Sequence, residues 1–325
     1  MSRGGRVVLT TLATVLAGSL LGGGRQTAVA FLTDTEIDPA TFSTGCFTAD
    51  TTPPLVSTTV ISKTPQYLSG YIRQGATYLI YANVTDAECG ISTVRANVAT
   101  ITTGQTAVPL VAGSYAVGGV SYNYRSASRT ANATLAEGPV AYTITSTDNA
   151  SNSQTQSGYS VVVDNTRPTA TDVQTGNGGT IPGKAELGDT LILTFAEIID
   201  PQSVLAGWTG AATNVVLRIT NNATGDRVTI RNAANTAQLP LGTVNLIGLT
   251  YVPATRDFGA AGTASTMVQT GATITITMGT PSGVTGTEVA PGTMTETPVT
   301  TATDRAGNTC QTTVANESGA ADVEF

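Results

Sequence analysis

The phrase Thr-Asp-x-Ala-small-Asn occurs twice in this chain, as "TDNASN" at Thr147–Asn152 and as "TDRAGN" at Thr303–Asn308. A second phrase, Asp-polar-Thr-x-Pro, also occurs twice, within "ADTTPP" at Ala49–Pro54 and "VDNTRP" at Val163–Pro168. Each Asp-polar-Thr-x-Pro phrase precedes a stretch rich in strand-forming residues, and each stretch closes near a Thr-Asp-x-Ala-small-Asn phrase. The order of linker, strands, turn and last strand is therefore run through twice, an internal repeat on the scale of a domain. The chemistry of the closing phrase suits a hairpin turn. Asp accepts hydrogen bonds from the turn's own amides, Ala with Gly or Ser leaves room for a tight reversal, and Asn tolerates the left-handed conformation.

The stretches between these marks read as short strands of period two. In "ATYLIYANV" (Ala76–Val84) Tyr78, Ile80, Ala82 and Val84 share one face, and in "PVAYTITSTD" Val140, Tyr142 and Ile144 do. "YSVVVD" resumes after the first turn. The second half supplies "DTLILTF" (Asp189–Phe195), "NVVLRIT" (Asn214–Thr220), "DRVTIR" (Asp226–Arg231) and "ATITITM" (Ala272–Met278). No long segment of period 3.6 follows the N-terminal leader. With 40% hydrophobic but only 11% charged and 5% aromatic residues, the composition suits strands joined by polar turns. The expected fold is all-β, two tandem antiparallel β-sandwiches. Tyr122 and Tyr124 in "SYNYR" are expected on one strand face, packed in the core.

Charge and composition exclude several functions. A net charge of −7, with Lys63 and Lys184 as the only lysines, does not suit a nucleic-acid partner, which needs clustered cations to neutralise phosphates. The chain has no histidine, so Ser-His-Asp and Cys-His nucleophiles and His-ligated metals are ruled out.

The N-terminus reads as an export signal. Arg3 and Arg6 precede the uncharged run Val7–Leu21, shorter than the roughly 20 residues of a membrane span, and Ala28–Ala30 makes a small-x-small cleavage site; the alternative is an uncleaved anchor. Cleavage after Ala30 removes Arg3, Arg6 and Arg25 and no acid, so 12 cations (15 − 3) face 22 acids and the mature charge is −10. With no sorting signal or lipobox in view, the product is expected to be released or held at the cell surface without a covalent anchor. The expected divisions are a signal peptide (1–30), an extended segment (31–50), sandwich one (51–164), sandwich two (165–316) and a short tail (317–325).

Just after the cut, "AFLTDTEIDPATFSTG" resembles the signal-peptide junction of the TasA/camelysin group of secreted fibre proteins, through Ala30, Phe31, Asp34, Thr35, Glu36, Thr41, Phe42 and Gly45. The match covers fewer than twenty residues and implies export and assembly. Over roughly residues 50–315 the chain looks like the tandem immunoglobulin-like repeats of bacterial surface proteins. Those end in D-x-A-G-N turns, are joined by D-x-T-x-P linkers, and begin with a phrase similar to "GDTLILTFAEIIDPQSV" (Gly188–Val204), here with Ala196 where Ser is usual.

In such a sandwich the linker, the end of the second strand and the last hairpin meet at one end. That gathers Asp50, Asp86, Glu88 and Asp148 in sandwich one, and Asp164, Glu197, Asp200 and Asp304 in sandwich two, at the junction. Converging carboxylates and backbone carbonyls suit calcium. The alternative is that each Asp caps its own turn and the acids face solvent. Of the three cysteines, Cys46 precedes the first strand and Cys89 follows the second, which favours a Cys46–Cys89 disulfide in an exported protein. Cys310 is left as a buried or idle thiol, with an intermolecular cross-link as the alternative. Trp208 is expected to pack rather than to stack a sugar, since one aromatic makes no platform. Neither lysine lies in a motif for a Lys–Asn isopeptide bond, and sequons such as Asn83-Val-Thr85 are expected by chance.

Three functions stand side by side. The first is a secreted or cell-surface, non-catalytic spacer or adhesin that presents loops to a surface polymer or protein ligand. The second is the subunit of an extracellular fibre, self-associating by donation of the strand Phe31–Phe47. The third is an accessory module or a glycan-active enzyme using paired carboxylates.

Overall fold

The computed structural model describes residues 50–63 and 68–325. The export signal, the junction phrase, the donated strand and Cys46 lie outside the described residues. What is described is all-β apart from one short helix, and among these residues no helix is long and apolar enough to cross a membrane.

The first sheet is built from β1 (Leu55–Ser62), β2 (Tyr71–Ile72), β3 (Thr77–Thr85), β4 (Ile91–Asn97), β5 (Val108–Val117), β6 (Val120–Ser126), β7 (Arg129–Thr130), β8 (Gly138–Asp148) and β9 (Ser153–Val163). Its order is β1-β3-β6-β5-β4-β8-β9-β2, with β7 on β3. All pairs are antiparallel except β2 with β9. The second sheet follows from β10 (Ala170–Gly176) and β11 (Thr190–Phe195). The helix α1 (Pro201–Val204) intervenes before β12 (Thr213–Thr220), β13 (Arg227–Asn232), β14 (Thr243–Asn245), β15 (Arg256–Phe258), β16 (Ser265–Thr270), β17 (Thr273–Thr277), β18 (Thr295–Thr297) and β19 (Ala315–Asn316). Its order is β10-β11-β17-β16-β12-β13-β14-β18-β19, with β15 on β12.

Period-two patterning produces this arrangement directly. Along β3, Tyr78, Ile80, Ala82 and Val84 are buried. Along β11 and β17, Leu191, Leu193, Phe195, Ile274 and Ile276 turn inward, while the intervening Ile192, Thr194 and Thr275 are only half-buried. Two separate apolar cores result. One draws on residues from Val56 to Val163, the other on residues from Ala170 to Phe325. Trp208 is buried in the second, its indole N–H donating to the Ala211 carbonyl at 2.6 Å.

Two expectations need revision. Tyr122 and Tyr124 part company: Tyr124 packs on the first core, while Tyr122 joins Tyr81 and Val117 in a smaller cluster. Between them the Asn83 and Asn123 side chains replace backbone pairing, each accepting a strand amide (Asn123 N–H and Val84 N–H) at 2.9 Å, which breaks the alternation. The residues expected as a short tail, 317–325, pack onto the second sandwich. Glu317, Glu324 and Phe325 are buried, and Asp322 bridges back to Gly292. The left-handed residue of each twin phrase is also not its Asn but the small residue before it, Ser151 (φ 71°) and Gly307 (φ 92°).

The register of the second sheet buries one acid outright. Glu296 on β18 lies opposite Val244 on β14 and Ala315 on β19, both core residues, so it shares their inward face. Its two carboxylate oxygens have no hydrogen-bond partner, and burial pushes its carboxyl up to about 8. Nearby, the Cys310 thiol is free and buried, and burial together with the Glu296 charge pushes it up to about 11.

Because the folded state keeps a proton on Glu296 that the unfolded chain has released, its contribution to stability falls as pH rises from the ordinary Glu value to about 8. The slope from this one group is at most about 1.4 kcal/mol per pH unit. A Glu296→Met variant is expected to lose that part of the slope. Urea denaturation of both proteins at about pH 5 and about pH 8 checks it, and parallel pH dependence in the two would refute the assignment.

Candidate metal centres

The twin phrases close their hairpins in the same way. In the first, the Asn152 amide donates to Asp148 Oδ1 at 2.8 Å, and the Asn152 carboxamide donates both to Asp148 Oδ2 and to the backbone carbonyl of Asp50, each at 2.8 Å. In the second, Asp304 Oδ1 accepts from the amides of Ala306, Gly307 and Asn308. The Asn308 carboxamide reaches Asp304 Oδ2 and the Asp164 carbonyl, again at 2.8 Å each. The linker aspartates match as well: Asp50 Oδ1 accepts from Thr52 N–H and Asp164 Oδ1 from Thr166 N–H, the turn that an Asp-x-Thr sequence favours. Each hairpin is thus tied to its own incoming linker at the N-terminal pole of its sandwich.

A third acid completes each pole. Asp86 follows β3, and its Oδ1 accepts from the amides of Glu88, Cys89 and Gly90. Glu197 follows β11 in the corresponding place. One oxygen from each of Asp50, Asp86 and Asp148 lies within 4.8 Å of the others, and the same holds for Asp164, Glu197 and Asp304. Six of the eight acids singled out from the sequence therefore converge. Glu88 stands apart, exposed, because the turn spends its amide on Asp86 and directs its side chain outward. Asp200 stands apart because it caps α1 and pairs with Lys63.

The electrostatics of the two poles differ. At the first, burial works to raise the Asp148 carboxyl, but the donors of Asn152 and the Ala150 amide outweigh it and hold it below the ordinary value. At the second, burial followed by the negative charges of Asp164 and Asp304 pushes Glu197 up to about 7, and burial raises Asp304 despite the bonds from Asn308. Each pole also has an oxygen without a donor: Asp50 Oδ2 and Glu197 Oε1 are buried and unpartnered. Hard oxygens at this spacing fit the roughly 2.3–2.6 Å bonds of calcium, whose opposed ligands lie up to about 5 Å apart. Such an ion would supply the countercharge these orphaned oxygens lack.

The second pole sits in a densely bonded junction. Lys63, at the end of β1, forms an ion pair with Asp200 across it. The Arg305 guanidinium lies 3.7 Å from the centre of the Tyr71 ring. Arg167 donates to the carbonyls of Thr309 and Cys310, and Asp164 N–H donates to the Ile72 carbonyl. A cleft of about 480 Å³ opens beside the Lys63–Asp200 pair, bordered by Arg73, Thr77 and Gln202. Cys89 is disulfide-bonded, and Cys310 is a free thiol. A further acidic group, Glu317, Asp322 and Glu324, escapes sequence reasoning, since no repeated phrase marks it and its members meet only through the fold. No protein-family model matches the chain, and no curated protein sequence matches it either.

Two stability effects follow from this geometry. Asn308→Ala strands a buried acceptor on Asp304 and a half-buried one on Asp164 and is expected to cost about 1–3 kcal/mol in urea denaturation; no measurable loss would refute the tie. Lys63→Met leaves the buried Asp200 carboxylate without its cation, at an expected cost of about 3–5 kcal/mol. Adding Asp200→Asn, which keeps the helix cap, is expected to restore most of it. An additive double variant would refute the coupling.

Proposed function

We propose that this protein is an exported, non-catalytic cell-surface or secreted component. In this reading its two immunoglobulin-like sandwiches act as a stiff spacer or adhesin, held in line by calcium at the two N-terminal poles. The observation that carries the reading is the duplicated pole: the same hairpin tied to the same linker, each with three converging acids and an unpartnered buried oxygen. The second pole lies at the junction itself, where an ion joining the linker acid Asp164 to Glu197 and Asp304 of the second sandwich would stiffen the connection. The side-chain pairs that already cross there, Lys63 with Asp200 and Arg305 with Tyr71, favour a fixed connection over a loose one.

The chemistry of the acids favours binding over catalysis. A glycosidase holds its two carboxyl groups about 5–9.5 Å apart with room for a sugar between them. At each pole one oxygen from each acid instead lies within 4.8 Å of the others, and the aspartates are tied down by turn amides. Surface loops of the sandwiches would then carry any contact with a polymer or protein ligand, as loops on rigid scaffolds commonly do.

Thermal melts of the whole chain in calcium and in chelator test this reading. Calcium at about 100 times its Kd is expected to stabilise by about 2.7 kcal/mol per filled site. The increment is expected to shrink in Asp50→Asn/Asp148→Asn and in Glu197→Gln/Asp304→Asn variants. Melts that coincide with and without calcium would sink the metal-stiffened spacer.

A further inference from the structure

We infer that Glu317, Asp322 and Glu324 form a third site for a hard divalent cation of the calcium class, one that pins the segment after β19 to the body of the second sandwich. It is independent of the two poles. No repeated phrase marks it, and none of its residues belongs to either pole.

The first support is geometric. One carboxylate oxygen from each residue lies within 4.8 Å of the others, a span that a single ion with bonds of roughly 2.3–2.6 Å can bridge. Rigid backbone presents these groups. Asp322 exchanges both backbone hydrogen bonds with Gly292, and Glu324 N–H donates to the Tyr251 hydroxyl at 2.9 Å. Phe325 stands edge-on to the Tyr251 ring, with ring centres 5.8 Å apart.

The second support is an unpaired oxygen. Glu324 is 1% exposed; its Oε2 accepts from the Thr175 hydroxyl at 2.6 Å, while its Oε1 is buried with no donor. Glu317 is 8% exposed, with Met294 N–H bonded to its Oε2 at 3.1 Å. Other buried carboxylates of this sandwich are treated differently. Asp189 receives the amides of Gly178, Gly179 and Glu186, and Glu288 receives those of Leu249, Thr250, Val289 and Ala290. Those two are structural anchors already supplied with donors, whereas the Glu317–Glu324 pair is short of positive charge.

Nearby side chains do not make up the shortfall. Among the described residues, the ion pairs join Lys63 to Asp200, Lys184 to Glu186 and Arg218 to Asp257, and none reaches this cluster. Asp172 adds a further negative charge close by, its carboxylate accepting from the Ser318 amide and hydroxyl. Asp322 is exposed, which leaves a solvent-facing side where an ion can enter and keep water ligands.

The test uses the full chain, with Ca²⁺ and Tb³⁺ as probes. Tyr251 touches the Glu324 backbone, so Tb³⁺ bound here is expected to emit when tyrosine is excited. Asp322→Asn, at an exposed position that leaves the core intact, is expected to weaken this emission and its affinity at least tenfold. Glu317→Gln/Glu324→Gln is expected to lower the number of Ca²⁺ ions bound per chain by one in calorimetry. In chelator, hydrogen exchange of residues 318–325 is expected to rise at least tenfold in the wild type and to change little in the Gln/Gln variant, whose buried pair no longer repels. Unchanged stoichiometry and emission in both variants would overturn the site. Asp148→Asn and Asp304→Asn report on the poles alone. Loss of the pole ions with Tyr251-sensitised emission intact would support this site, and the reverse pattern would overturn it.

Discussion

The carboxamide of one asparagine in each closing hairpin holds this architecture together. Asn152 and Asn308 each donate to the hairpin Asp and to the carbonyl of the linker Asp that begins the same sandwich. One side chain therefore ties the last turn of a domain to its first residue, across 102 positions in one case and 144 in the other. A contact of such sequence separation forms late and closes a large loop, so its geometry must be set by short local turns that need no distant help. The Asx turns at Asp50 and Asp164 and the amide nests at Asp148 and Asp304 supply them.

Crowding acids at the poles follows from that tie. At the first pole three turns, at Asp50, Asp86 and Asp148, each spend a carboxylate oxygen on amides, whereas at the second only Asp164 and Asp304 do and Glu197 joins them from the end of β11. Donors decide the outcome. At the first pole they keep Asp148 ionised more readily than usual, whereas at the second, burial and mutual repulsion raise Glu197 and Asp304. The same logic separates Asp189 and Glu288, satisfied by backbone amides, from Glu324, which has a buried oxygen and no donor. Glu296 is the limiting case, carried into the core by strand register alone and stable there because it keeps its proton.

Much of this is legible in the residues alone. Alternation locates β3, β8, β11, β12, β13 and β17 to within a residue or two, because half-buried strands write their burial as period two. The repeated phrases locate both poles, because turn chemistry is local and short. Legibility fails where a side chain substitutes for backbone. Asn83 and Asn123 break the ladder between Tyr122 and Tyr124, and no propensity announces that exchange. It fails again at Asp200, whose Asp-Pro-x-Ser sequence is a helix start as readily as a ligand, and whose pairing with Lys63 depends on the packing of one sandwich against the other.

By itself, then, the sequence determined what is local and periodic: an all-strand chain, the twin hairpins, and a set of eight acids from which the structure draws six to the poles. Only the tertiary structure decided which acids lack a partner, which cation crosses the junction, and that Glu317, Asp322 and Glu324 meet at all. The physical reason is that a carboxylate's charge state and company depend on burial and on donors from residues far away in the chain, and neither has a signature in the neighbouring letters.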